Sequence, residues 1–187
     1  MSIKPTWEEF KQISGDHNLI PVFTVLEIND ETPVSAFAKL EQPYSFLLES
    51  SEKNNIFGRY SFIGTDPAEI ISGSDDPLPY LKKRLHQYRP YSFKELPPFH
   101  GGLVGYLSYE CVGFMESKLK FKNQDDLNFP LYQFLVTHNC IAFDHLEKKI
   151  YVISNAFIKG TNDLERQYRQ CVNKIESLVQ ELKSKII

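Results

Sequence analysis

Two short segments hold the side chains with the most chemistry to offer. Ser45-Phe-Leu-Leu-Glu-Ser50 ends an apolar run on a carboxylate and a hydroxyl, Glu49 and Ser50. Gly58-Arg-Tyr-Ser-Phe-Ile-Gly64 opens on Arg59, Tyr60 and Ser61 before it turns apolar. Paired as neighbouring strands, the two gather a carboxylate, two hydroxyls and a guanidinium at one end of an apolar surface. That set suits a small zwitterion with an apolar side chain, the acid facing its ammonium and the arginine its carboxylate. Neither segment sets a nucleophile beside a base, so the set reads as a binding site and no catalytic residue is assigned. A second reading stands beside this one: Glu49 and Arg59 form a cross-strand ion pair, and the serines are turn residues.

Other candidates carry less. Gly101-Gly-Leu-Val-Gly105 lacks the Lys-Ser/Thr of a P-loop and the spacing of a dinucleotide fingerprint, so its glycines point to close backbone packing. His100, just before them, has nothing nearby in sequence to orient it as a base. Asp75-Asp76 and Asp125-Asp126 lack the ligand count of a calcium loop and read as solvated loop charge. Cys111, Cys140 and Cys171 are odd in number and far apart, which suits reduced, buried thiols. His138 and His145 flank an apolar stretch and fit strand ends better than a metal site, so no metal ligands are assigned.

These groups need elements to position them. Residues 5–14 suggest a helix with Pro5 near its start and Gly15 after it. Leu19 to Ile28 reads as a strand, with Pro21 confining it to an edge or to its own beginning. Thr32-Pro33 is a cap followed by a first-turn proline, giving a short helix over 33–41. Strands follow over about 45–50 and 59–64, joined by a turn at Lys53-Asn-Asn55, with a further strand at 68–72. Leu81, Leu85 and Tyr88 set a helix over 78–88. Arg89 to Phe99, rich in proline and aromatics, reads as an ordered surface loop. Leu131–Phe143 and Lys149–Phe157 are strands joined by a hairpin at 144–148. The tail, 162–186, repeats apolar residues at three and four and reads as a helix with an Asn162/Glu165 capping box. Strands that pair locally argue for an α+β fold, a mixed, largely antiparallel sheet with helices packed on it.

Bulk properties set limits. At 187 residues, with 42% hydrophobic and 24% charged residues, the chain is long enough for one domain with a real core. A net charge of −3 gives no electrostatic reason to expect nucleic acid. No apolar run approaches the roughly 18–20 residues needed to cross a bilayer, and the N-terminus lacks a signal peptide's apolar core. The expectation is a cytoplasmic protein without membrane or nucleic-acid partners.

Four blocks in one order carry a resemblance: Phe46–Ser50, Gly58–Gly64, Gly101–Tyr109 and Ile141-Ala-Phe-Asp-His145. Together they resemble the N-terminal region of anthranilate synthase component I, in the chorismate-utilising enzyme superfamily. The resemblance runs from about Leu19 to the final helix. It implies an enzyme that makes anthranilate from chorismate with magnesium, takes ammonia from a glutamine amidotransferase subunit and is inhibited by L-tryptophan. It implies a tryptophan pocket at Glu49 and Ser50, joined by Arg59, Tyr60 and Ser61.

The chorismate- and magnesium-binding residues of that family lie in a C-terminal domain, and this chain stops at Ile187. Residues 1–187 are therefore expected to be a single regulatory domain, inactive alone, needing no cofactor of its own and binding tryptophan weakly through one wall of a divided pocket. A surface left uncovered would favour self-association. The corresponding region of aminodeoxychorismate synthase component I, or a stand-alone binding or scaffold domain using the 162–186 helix, are the alternatives.

Overall fold

A computed structural model describes residues 1–28, 30–50, 58–116, 118–119, 128–158, 160 and 163–184. Its elements, in chain order, are α1 (Trp7–Ile13), β1 (Leu19–Glu27), α2 (Pro33–Leu40), β2 (Phe46–Leu48), β3 (Tyr60–Thr65), β4 (Glu69–Gly73), α3 (Pro77–His86), β5 (Leu103–Leu107), a 3₁₀ turn (Tyr109–Cys111), α4 (Val112–Met115), β6 (Tyr132–Val136), β7 (Asn139–Asp144), β8 (Lys149–Phe157) and α5 (Leu164–Lys183). The fold is α+β, and every strand pairing among the described residues is antiparallel.

The strands form two sheets, not the single sheet expected. One has the order β1-β8-β7-β3-β2 and the other β4-β6-β5. The change comes where the sequence promised one strand over Leu131–Phe143. Thr137 and His138 interrupt it, so β6 pairs with β4 and β5 while β7 pairs with β3 and β8. An apolar run of that length conceals the break, because both halves are buried.

The larger sheet is covered on both faces. On one, α5 and α2 pack over Ile63, Ile141, Phe143, Ile150 and Val152. Cys171, Ile175, Leu178, Val179 and Leu182 recur at three- and four-residue steps and form the buried stripe of α5. On the other face Phe23, Cys140, Ala142, Tyr151 and Ile153 meet Phe93, Leu96 and Phe99. The proline-rich segment 89–99 is thus a lid on the sheet as well as a surface loop. It replaces a helix layer with aromatic rings, which bury large areas per residue.

Caps explain several boundaries. Thr6 and Glu9 form a reciprocal capping box that starts α1, and Thr32 with Ser35 does the same for α2. Asp76 caps α3 by accepting from the Leu78 amide, and Asp75 accepts from the Tyr132 hydroxyl at 3.0 Å. This acidic pair is structural, not solvated charge. Asp163, without a side-chain cap bond, stands at the start of α5. Asn162 of the expected capping box, the Lys53–Asn55 turn and Asp125-Asp126 lie outside the described residues.

Candidate functional site

The β2–β3 pairing sets the site. Phe46, Leu47 and Leu48 lie opposite Gly64, Ile63 and Phe62, so the next step brings Glu49 toward Ser61. The Ser61 hydroxyl donates to Glu49 Oε1 across 3.5 Å. Gly64 allows the pairing, since a Cβ there would lie 2.1 Å from a ring carbon of Phe46.

On its other side β3 pairs with β7, placing Ser61 beside Phe143 and Tyr60 beside Asp144. One residue beyond, His145 brings Nε2 to 2.8 Å from Ser61 Oγ. Its ring stacks near that of Phe143, with centroids 6.4 Å apart. Alternation along β3 puts Ser61 with Ile63 on the α5-covered face and Tyr60 with Phe62 on the other. Ser61, Glu49 and His145 therefore converge at one corner of the sheet.

Arg59 and Tyr60 build the adjoining corner. Arg59 grips Asp144, with Nη2 2.7 Å from Oδ2 and Nε 3.0 Å from Oδ1. Its salt bridge goes to Asp144, not to Glu49, so the cross-strand ion pair is not the one formed. A third of the Arg59 side chain stays exposed, at 32%, while the Asp144 side chain is almost fully covered. The hydrogen bond to Asp144 raises the guanidinium's already high pKa. Tyr60 lies under the guanidinium, 4.9 Å from Cζ to ring centroid, and stacks on Phe62. Burial, then the nearby Asp144 charge, raise the Tyr60 phenol above its ordinary value. The structure thus brings Glu49 to Ser61, and Arg59 to Tyr60, on two sides of the same strand end. Ser50 follows Glu49 as an exposed residue just past β2.

Asp144 and His145 are the residues that the sequence reading missed. Asp144 also accepts from the Leu146 and Glu147 amides, both at 3.1 Å, closing the β7–β8 hairpin. The signal for both was the Ile141–His145 block, but the contact spans more than eighty residues of sequence. Ser61 and His145 stand at the distance of a nucleophile and base. Ser61 is only 3% exposed, however, so its oxygen cannot reach a reacting atom without rearrangement. The corner offers hydrogen-bonding groups beside an apolar wall, which is the chemistry of recognition.

Among the described residues, no group of three or more His, Cys, Asp or Glu side chains is arranged to hold a metal ion. The magnesium implied by the resemblance has no fitting donor set there. No described helix is long and apolar enough to cross a membrane.

Comparison with known proteins gives a consistent picture. Residues 43–185 match the family described as chorismate binding enzyme. The chain is 35% identical over 190 residues to the probable anthranilate synthase component 1 of Schizosaccharomyces pombe, covering 98% of this chain and 39% of that protein. It is 33% identical over 200 residues to anthranilate synthase component 1 of Synechocystis, covering 96% and 39%. The chain thus spans about two fifths of the length of these curated relatives. A solved structure, anthranilate synthase component I from Streptococcus pneumoniae, superimposes with a TM-score of 0.58 at 24% identity, over 86% of this chain and 37% of that one. At that identity the likeness speaks to the fold.

Proposed function

The chain belongs to the family of chorismate binding enzymes, and from that premise we propose that it is the N-terminal, tryptophan-sensing regulatory portion of anthranilate synthase component I. The observation that carries this reading is the convergence of Glu49, Ser61 and His145 at a sheet corner, where the Ser61 hydroxyl beside His145 is covered. L-tryptophan fits the residue types there: Glu49 for the ammonium, the exposed edge of Arg59 for the carboxylate and the apolar end of β2 for the indole. Anthranilate formation from chorismate, with its magnesium, belongs to the remaining length of the enzyme.

The surface supports a divided enzyme. Tyr106, Leu107, Tyr109, Phe114, Met115 and Phe129 are all exposed on and after β5 and ahead of β6. Such a concentration of large apolar side chains suits the packing of a chorismate-binding domain. Feedback then works by differential affinity: tryptophan favours the arrangement of the two parts in which its pocket is complete, and shifts the equilibrium only by that difference.

Replacing Ser50 with Phe in the complete enzyme tests this. Tryptophan inhibition should weaken by about tenfold or more while uninhibited turnover stays within about twofold, since a lost contact of about 1.4 kcal/mol is a tenfold change. Unchanged inhibition would refute the placement of the inhibitor at this corner.

A further inference from the structure

A cavity of about 980 Å³ opens at the other end of β3 and β7 from Ser61 and His145. It lies between α3, α5 and the end of β8, with Asp66 and His138 at the ends of their strands. We propose that it is a binding site for a small zwitterion of the α-amino-acid class. The proposal is independent of the function assigned to the Glu49 corner.

Charge is the first argument. One wall carries Lys174 and Asp66, 3.4 Å apart, and the other carries Arg84 and Glu69, with Arg84 Nε 3.1 Å from Glu69 Oε2. All four side chains keep some exposure. The charges sum to zero, and burial of His138 holds its imidazole below the usual range, toward the neutral form. A lone anion or cation would compete with one member of a pair and strand the other. A zwitterion places a carboxylate on Lys174 or Arg84 and an ammonium on Asp66 or Glu69, leaving each charge compensated.

Unmet hydrogen bonds are the second. Gln167, Gln170, Cys171 and Lys174 follow helical spacing and form the α5 wall. Gln167 Oε1 is buried and has no hydrogen-bond partner among the described residues. Behind this wall Thr65, Asn139 and Ser154 sit side by side across β3, β7 and β8, all fully covered. The Thr65 Oγ1 and Asn139 Oδ1 atoms are also buried and without partners among the described residues. Buried polar atoms in native proteins are nearly always paired, and this covered layer, which does not itself line the cavity, keeps the ground beneath the α5 wall polar. Of these atoms only Gln167 Oε1 belongs to a residue that lines the cavity, and a small turn of that side chain toward the cavity lets a ligand's ammonium donate to it.

Shape is the third. Phe157 meets Tyr88 edge-on at 5.4 Å and His138 at 5.8 Å, giving an aromatic wall for a side chain. Asn155 fixes the floor by donating to the carbonyls of His100 and His138 at 2.9 and 3.1 Å.

Titration of the full chain by ¹⁵N NMR tests the proposal, with L-phenylalanine as the zwitterion, and inorganic phosphate, butane-1,4-diamine and glucose as probes of one sign of charge or of none. Phenylalanine should shift the amides of Phe157, Gln167 and Lys174 with saturation by about 10 mM, and the other three probes should bind at least about tenfold more weakly. Gln167→Leu and Lys174→Met should each weaken phenylalanine about tenfold while the melting temperature stays within about 2 °C, as for surface changes. Shifts confined to Glu49, Ser61 and His145 would overturn the site and leave the corner reading intact. Equal binding of phosphate, diamine or glucose, absence of saturation, or wild-type affinity in both variants would each overturn it too.

Discussion

Asp144 holds Arg59 with both carboxylate oxygens, Nε lying 3.0 Å from Oδ1 and 3.2 Å from Oδ2. The same side chain caps the turn into β8 through the amides of Leu146 and Glu147. One covered carboxylate therefore fixes the guanidinium at the start of β3 and the hairpin that carries His145. The backbone repeats the tie, since the His145 amide donates to the Arg59 carbonyl at 2.9 Å. The corner is assembled by this link more than by β2, which is three residues long.

The link should make stability depend on acid. Burial opposes the ionisation of Asp144, but Arg59 and the Glu147 and Leu146 amides outweigh it and hold the carboxyl below its ordinary value. The folded value is thus lower than the unfolded one, about 3.9. The stability it contributes is complete above the unfolded value and is lost as pH falls through the folded value. Asp144→Asn should be less stable at pH 7 by about 2 kcal/mol, because Arg59 loses its charged partner and the backbone caps accept from a neutral amide. The gap to wild type in urea midpoint should close below about pH 4. A gap independent of pH would remove the charge from the account.

What the sequence disclosed follows from how far each interaction reaches. The β8 range was legible residue for residue, because Lys149–Phe157 is a strand-length apolar run closed by a hairpin signal. The α5 stripe was equally plain from its period. Glu49 near Ser61 followed from one local pairing of strands. Asp144 and His145 did not, since the β3–β7 pairing joins segments far apart in the chain and nothing in either segment names its partner. The split between β6 and β7 was hidden for a related reason: which sheet a buried strand joins is set by tertiary packing, not by its own periodicity.

Gly105 marks a close approach of the kind that the glycine run foretold. A Cβ there would lie 1.9 Å from the Gln133 carbonyl oxygen and 2.6 Å from Phe134 Cα, both backbone atoms of the paired β6. No side-chain rotation relieves that overlap, so β5 must shift. Gly105→Ala should cost about 1–3 kcal/mol by urea denaturation. Gly160→Ala, with nothing within 4 Å of the added carbon, is the control and should stay within about 0.5 kcal/mol. Equal stability of the two variants would show that β5 yields freely.

The three thiols should be silent in the folded protein. Cys111, Cys140 and Cys171 are buried and unpaired in disulfides. Burial pushes the Cys140 thiol up to about 12 and the Cys171 thiol up to about 11, so neither forms the reactive thiolate near neutral pH. A colourimetric thiol reagent at pH 8 should label almost nothing in the native chain, then all three cysteines when denaturant is added. Fast labelling of Cys140 without denaturant would mean that the sheet opens readily between β3 and β7, and would contradict the packing described.

His145 offers the sharpest probe of the corner. Its Nε2 lies 2.8 Å from Ser61 Oγ, whereas Glu49 stands at 3.5 Å, so the imidazole is the closer partner that sets the hydroxyl's direction. His145→Phe keeps a ring against Phe143 but leaves Ser61 only the long contact to Glu49. His145→Gln keeps a polar group able to reach the hydroxyl. In the complete enzyme, His145→Phe should raise the tryptophan concentration for half inhibition by about tenfold, the value of one hydrogen bond of about 1–1.5 kcal/mol. His145→Gln should restore most of that loss, and uninhibited turnover should change little in either. A purely structural role predicts instead that both variants lose stability and turnover together, with inhibition unchanged, and thermal melts recorded beside the inhibition curves would reveal it.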